Sequence, residues 1–280
     1  MKAAVYDVEG SPGVLKYVDV PEPVTGPDDI LISVEAISIE GGDLINRRST
    51  PPPLPSWIVG YAAAGTVVAV GSKVRSRTVG DRVAAFHMQG SHAERWAVPA
   101  ERTWLIPDGV GMAEAAALPI SFGTAHHCLF TRGMLRQGET VLIQAAAGGV
   151  GLAAVQLASQ AGATVIAVVS GTQRRVRLRE LGADHVVDRT KDNIVDSVRQ
   201  YTHGTGVDLV IDPVGTTLPV SLSALAPEGR LVFVGNAGGG SLTVDLWPAM
   251  QSNQTLMGVF MGPLFARHGV RTSVDEMLQA

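Results

Sequence analysis

Thr140-Val-Leu-Ile-Gln144, Ala145-Ala-Ala-Gly-Gly-Val-Gly151 and the apolar pattern running on through Val155, Leu157 and Ala158 to Gly162 decide the fold. The first is a short β-favouring run, the second a glycine turn, and the third repeats apolar residues at helical spacing. In that order they form one half of a dinucleotide site. Gly148 lets the backbone approach a pyrophosphate, and Gly151 lets the helix lie close on the strand while its free N–H groups and dipole face the anion. Ala146 stands where the usual G-x-G-x-x-G has its first glycine. The next apolar run, Thr164-Val-Ile-Ala-Val-Val169, ends about 20 residues on, where a ribose-reading residue belongs.

Downstream the alternation continues. Gly182 stops a helix that ends at Leu181, strands are expected at 185–187, 207–211 and 230–235, and helices at 194–201 and 218–225. Such alternation means a parallel, doubly wound sheet, whose ligands lie beyond the carboxyl ends of its strands. That nominates 148–151, 170–175, 212–215 and 235–237. Asp212, before Pro213, reads equally as a turn cap or a contact.

Upstream, residues 1 to about 118 are β-rich, with strand composition at 3–6, 15–20, 30–39, 65–70 and 79–85. Pro51-Pro-Pro-Leu-Pro55 cannot donate to a sheet and is expected on the surface, while Asp81 can hold the turn before its strand. A helix from Ala113 should end at Pro119, and a second, from about 121 to 131, leads into the nucleotide unit. It carries Thr124, His126 and His127; adjacent helical positions point about 100° apart, so the two imidazoles do not share one metal. The expected domains are 1–118 and 119–265, with 266–280 opening a C-terminal segment.

At 280 residues the chain can hold two ordinary domains. Its 22 basic and 26 acidic side chains give no field to hold nucleic acid. One cysteine, Cys128, allows neither an internal disulfide nor a multi-cysteine zinc site. With that one cysteine, and Met1-Lys2 running straight into a strand pattern without a signal peptide, a cytoplasmic protein is expected. As no apolar run reaches the roughly 18 residues that span a bilayer, no membrane partner is expected.

With a β-rich start followed by Ala146-Ala-Gly-Gly-Val-Gly151, Leu181-Gly-Ala-Asp184, Asp212-Pro-Val-Gly215 and Gly229-Arg-Leu-Val-Phe-Val-Gly235, the chain resembles the medium-chain dehydrogenase/reductase superfamily. Within it the likeness is to the zinc-free, zeta-crystallin-like quinone oxidoreductase branch. The resemblance implies a GroES-like catalytic domain beside a Rossmann domain, a nicotinamide in the cleft between them, and a homodimer. Relatives continue past the position of Ala280, so the final segment is expected to be truncated. Zinc-dependent relatives place a cysteine three residues before an aspartate and later a Gly-His-Glu; here Glu40 precedes Asp43, and Gly60-Tyr61-Ala62 follows. No metal site is therefore expected.

Glu40 also replaces an asparagine, and Ile45 a tyrosine, of quinone reductases in this branch. Tyr61 and Glu40 become the catalytic candidates: Tyr61 as a hydroxyl near the substrate oxygen, or alternatively an aromatic packed under the cleft. The implied activity is NADPH-dependent hydride transfer to a small-molecule quinone or α,β-unsaturated carbonyl. Gly148, Gly149, Val150 and Gly151 would hold the pyrophosphate, Arg175 and Arg189 the adenosine 2′-phosphate, and Thr124, Asn236 and Glu40 the nicotinamide end. Ala147, Ser170, Arg174, Val214 and Gly235 complete the cofactor candidates. NADPH is favoured because Ser170-Gly-Thr-Gln-Arg-Arg175 has no acid to repel a 2′-phosphate. An enoyl-thioester reductase is the alternative, needing a basic mouth for which Arg47 and Arg48 are the candidates. A second alternative is an NADPH-binding structural or regulatory protein without turnover.

Overall fold

The computed structural model describes the backbone of residues 1–280 and every side chain except that of Ala266. The chain forms two compact units, Met1–Gly123 with Gly262–Ala280, and Thr124–Met261.

The first unit contains β1 (Lys2–Tyr6), β2 (Lys16–Asp19), β3 (Asp29–Ser38), β4 (Trp57–Ile58), β5 (Ala62–Val70), β6 (Arg82–Phe86), β7 (Arg95–Pro99) and β8 (Thr103–Leu105). They make an antiparallel sheet in the order β7-β3-β5-β6-β8 and a smaller one, β2-β1-β4. Alternate residues of the larger sheet, including Ile30, Ile32, Val67, Val83, Trp96 and Val98, pack into one core. The Pro51–Pro55 stretch is an irregular, mostly exposed loop, and Asp81 accepts from the Thr78 amide (2.8 Å), holding the turn before β6.

The last segment returns to this unit. Helix His268–Gln279 buries Val270, Val274 and Leu278 at four-residue spacing, the Phe265 ring lies 4.4 Å from that of Phe86, and Trp104 Nε1 donates to the Arg271 carbonyl (3.0 Å). Residues 119–123 and 262–265 thus group with the first unit, where the sequence placed them with the second. Nor does Pro119 end a helix. Met112–Ala117 passes into a π-helical stretch, Leu118–Phe122, then Gly123–His126 and a second π-helical stretch, His127–Arg132. The wider turn is where a residue without an N–H can sit.

The second unit adds β9 (Thr140–Ile143), β10 (Thr164–Val169), β11 (His185–Asp188), β12 (Val207–Asp212), β13 (Leu225–Phe233) and β14 (Thr255–Gly258). All six are parallel, in the order β11-β10-β9-β12-β13-β14, so the strand order reverses beside β9. Covered on both faces, the central strands β9, β10 and β12 read as largely apolar runs. Below the sheet Arg230 grips Glu139 through two bonds (3.0 and 2.7 Å) and donates from Nε to the Gly133 carbonyl (2.8 Å), clamping β13 to the start of β9.

Within this unit the closest backbone approach at a glycine lies above β9. A Cβ on Gly151 would sit 2.5 Å from the Ala145 carbonyl oxygen and 2.6 Å from the Ala146 Cα, both backbone atoms, whereas one on Gly148 would meet only the Ala145 oxygen at 3.4 Å. Gly151→Ala should therefore destabilise the protein by about 1 to 3 kcal/mol and Gly148→Ala by much less. Urea unfolding of the two variants checks this, and equal losses would refute it.

Candidate functional site

At the head of β9 the chain turns through Ala145, held at φ +48°, into Gly148, the extended N-cap of helix Gly149–Gln160. Ala146 N–H bonds the Val168 carbonyl and Gln144 N–H the Ile211 carbonyl, so the turn is fixed between β10 and β12. The first intrahelical bond is Leu152 N–H to Gly148 O, which leaves the first-turn amides of Gly149, Val150 and Gly151 facing forward. Gly148 and Gly149 are exposed. This is an anion cradle.

Three guanidinium groups gather around the tips of β10 and β11. Arg174 Nη1 donates to the Ala147 carbonyl of the glycine turn (3.0 Å), Arg189 Nε to Ser170 Oγ (2.7 Å), and Arg175 Nη2 reaches Asp192 (3.3 Å). Two carboxylates here escaped the sequence reading. Asp192 partners Arg175, with both side chains about a third or more exposed. Asp188 is buried and accepts from Thr190 Oγ1 (2.7 Å), the Gly171 amide (2.8 Å) and the Thr190 amide (3.1 Å), which hold its carboxyl below the usual range. Asp188 is thus a turn clamp.

Asp212 proves to be a cap. Buried, it accepts from the amides of Val214 (2.8 Å) and Gly215 (3.0 Å), from Thr217 Oγ1 (2.7 Å) and from Ser221 Oγ (2.8 Å), which in turn receives Gln144 Nε2 (3.1 Å). Both its oxygens are occupied. Asn236 Nδ2 is tied to the Gly240 carbonyl (2.9 Å). The Asn236 Oδ1 and Arg175 Nε atoms are buried without a partner. Thr124 is buried in the turn Gly123–His126.

In the first unit, Glu40 is the N-cap of a helix the sequence reading missed, Gly41–Ser49. Its amide donates to Asp43 Oδ2 (2.9 Å), and Ser38 Oγ donates to its Oε1 (2.7 Å). Burial raises the Glu40 carboxyl above its ordinary value, against the hydrogen bonds of Ser38 and Ser121. Burial likewise pushes Asp43 up to about 6, with the Glu40 charge adding to it. Tyr61 opens on the same place: Asn46 Nδ2 donates to its Oη, its ring lies against Gly42, and burial, with Asp43 next, pushes its phenol up to about 12. A cavity of about 100 Å³ is lined by Tyr6, Asp43, Asn46, Trp57, Tyr61 and Gln89, among others. Glu40 and Tyr61 are brought together through Asp43, a residue the sequence reading used only as a landmark. Arg47 is buried on this helix, leaving Arg48 alone exposed, so these two residues form no basic mouth.

His126 and His127 are both engaged in contacts, and among the described residues no three His, Cys, Asp or Glu side chains cluster to hold a metal ion. No described helix is long and apolar enough to cross a membrane.

Residues 26–122 match the family described as alcohol dehydrogenase GroES-like domain, and residues 149–279 that described as zinc-binding dehydrogenase. A quinone oxidoreductase-like protein 2 homolog of Nematostella vectensis is 33% identical over 262 residues, spanning 91% of this chain and 71% of that protein. The chain belongs to the medium-chain dehydrogenase/reductase superfamily. Its two units are the GroES-like and Rossmann parts of that superfamily's fold. An Escherichia coli quinone oxidoreductase solved with NADPH superposes with a TM-score of 0.93 at 28% identity, covering 100% of this chain and 87% of that one. The rat synaptic vesicle membrane protein VAT-1 homolog is 37% identical over 219 residues, 77% of this chain and 54% of that protein, so the chain spans about half of that relative's length.

The raised carboxyl has a stability signature. Asp43 ionises near 3.8 when unfolded and about 6 when folded, so the folded protein holds the extra proton between those values and loses stability as pH rises through them. Asp43→Asn keeps an acceptor for the Glu40 amide and removes the charge. Relative to the parent it should gain little at pH ~4. Each pH unit between the two ionisations is worth about 1.4 kcal/mol, so the gain should reach roughly 3 kcal/mol above pH ~6.5. Urea melts at the two pH values decide it; a gain that does not grow with pH would contradict the burial argument.

Proposed function

We propose that the protein is an NADPH-dependent oxidoreductase that transfers hydride, without a metal ion, to a quinone or α,β-unsaturated carbonyl compound. The observation that carries this reading is the anion cradle at Gly148–Gly151, with Arg174, Arg175 and Arg189 beside it and no carboxylate in the stretch from Ser170 to Arg175. Arg175, whose Nε has no partner, and Arg189 would hold the adenosine 2′-phosphate, a group that planar guanidinium donors bind through charge-assisted bonds. Asp192 would then share or release Arg175. The NADPH of the Escherichia coli relative supports the same choice.

When bound, the reduced nicotinamide supplies the hydride. The chain's own residues bind it, exclude water and place a proton. Thr124 and Asn236 would face the nicotinamide end, Tyr61 would donate to the substrate oxygen, and Glu40 would support that end of the reaction. Metal independence is supported by Glu40 and Tyr61-Ala62 at the zinc-ligand positions, and by Cys128, whose thiol burial pushes to about 12, far from a thiolate at neutral pH.

Titration with each dinucleotide, joined to a reduction assay across quinones and enones with and without strong chelator, tests the reading. Arg175→Ala with Arg189→Ala should weaken NADPH binding by about 1.5 to 3 kcal/mol per lost contact and leave NADH nearly unchanged. Chelator should change nothing. Equal loss for both cofactors, or activity that vanishes with removal of one zinc per chain, overturns it.

A homodimer belongs to the same proposal. It is supported by β14, an edge strand of the parallel sheet, with Phe260 just beyond it and Trp247 and Met250 nearby in sequence, all more than half exposed. Light scattering should give about twice the 29.3 kDa chain mass; the single mass would dismiss it.

A further inference from the structure

The helix Gly41–Ser49 is laid down with its polarity reversed. Asp43 and Arg47 are buried at 7% and 8% exposure, while Leu44 and Ile45 stand 52% and 41% exposed. Burying a carboxylate costs free energy unless hydrogen bonds offset it. Part of the offset is visible: Asp43 Oδ2 receives the Glu40 amide. The Gly60 amide gives Asp43 a weaker contact that also lowers it, but the other oxygen, Oδ1, is buried without a full hydrogen bond, and Asp43 lines the small cavity that Tyr61, Asn46, Tyr6 and Gln89 also line. Because Asn46 Nδ2 donates to Tyr61 Oη, the phenol's own proton is free to go to something else in that cavity. At about 100 Å³, the cavity has room for more than one water between Oη and Oδ1.

We propose that Asp43, Asn46 and Tyr61 form a proton-delivery unit in which Asn46 aims the Tyr61 hydroxyl and Asp43 reprotonates it through the cavity after each turnover. The proposal rests on the reading of Tyr61 as the donor. Hydride from the reduced dinucleotide forms a C–H bond at the electron-poor carbon of the enone or quinone, and the displaced π electrons collect on the substrate oxygen. Tyr61 then gives its proton to that oxygen and becomes phenolate. The Asp43 carboxyl proton moves across the cavity water to the phenolate, and Asp43 takes its replacement from solvent. The dinucleotide is oxidised by two electrons, the substrate is reduced by the same two, and one solvent proton is consumed.

The surrounding charges suit this direction of transfer. On its own helix Asp43 receives the Glu40 backbone amide while the Glu40 charge raises it, and Arg47, one turn on, keeps its Nη1 buried without a partner instead of on Asp43. From the neighbouring elements come Tyr6 of β1 and Tyr61 just before β5, while His92, behind Gly60, has its imidazole pushed toward the neutral form by burial. Burial first, and the Glu40 charge after it, keep the proton on Asp43 to about pH 6, and a phenolate that would titrate near 12 takes that proton readily.

The test is the pH profile of kcat for reduction of 1,4-benzoquinone and of an enone by NADPH. The parent should lose rate above pH ~6, and Asp43→Asn should abolish that break and lower kcat by roughly ten- to a hundred-fold, with KM for NADPH unchanged. Tyr61→Phe should give the same flat profile, and Asp43→Glu should restore part of the break. A break that survives in Asp43→Asn, with kcat within about two-fold of the parent, overturns the unit. If the parent shows no turnover at all, it is the oxidoreductase reading that fails, and the unit is judged by 3-fluorotyrosine placed at position 61 and titrated by ¹⁹F NMR. Its phenol should titrate about one pH unit lower in Asp43→Asn than in the parent, and an unmoved titration overturns the coupling.

Discussion

The backbone-to-backbone approach at Gly151 sets the terms for the whole second unit. Helix Gly149–Gln160 can only lie against the Ala145-Ala146 turn if the residue at the crossing carries no side chain. Once it lies there, its first-turn amides point past the head of β9, where the strand order reverses. The anion cradle is thus a by-product of packing: the same contact that seats the helix on the sheet aims its dipole. Around it, Asp188 and Asp212 do similar work at neighbouring strand ends, committing buried carboxylates to backbone amides so that the loops keep their shape.

Much of this was legible because the sheet is parallel and covered on both faces. The central strands are then runs of β-branched and aliphatic residues, and the first crossovers end in glycines, Gly162, Gly182 and Gly206, that mark them. The antiparallel unit was harder to read. Strands β7 and β8 are short, β7 being bounded by Arg95 and Pro99, and β14, at a sheet edge, has a pattern too weak to stand out. Helix Gly41–Ser49 could not be found by periodicity, since its buried positions, Asp43 and Arg47, are charged and its aliphatic residues, Leu44 and Ile45, are exposed. For that reason Asn46 went unnoticed and Asp43 served only as a landmark, while Glu40 and Tyr61, which differ from a known motif, drew attention. The cofactor arginines were visible as a missing acid; their actual partners, Asp192 and the Ala147 carbonyl, depend on loop geometry that spacing does not encode.

The two carboxyls of the first unit illustrate how little distance separates a cap from a functional group. Glu40 and Asp43 are three residues apart at a helix start, the spacing of an ordinary capping arrangement. What changes their character is burial, which leaves one oxygen of Asp43 without a full hydrogen bond and sets the phenol of Tyr61 beside the same small volume. A residue recruited for local geometry thereby acquires a titration in the physiological range.

The return of residues 262–280 to the first unit also fixes an order of events during synthesis. The second unit is one continuous stretch, 124–261, and can close as soon as its own residues are free. The first cannot: Trp104 waits for the carbonyl of Arg271, 167 residues later, and Phe86 for the ring of Phe265. At ordinary translation speeds that interval is on the order of ten seconds. For that time the nascent antiparallel sheets stand with a gap in their core, while the nucleotide-type unit assembles after them and finishes first.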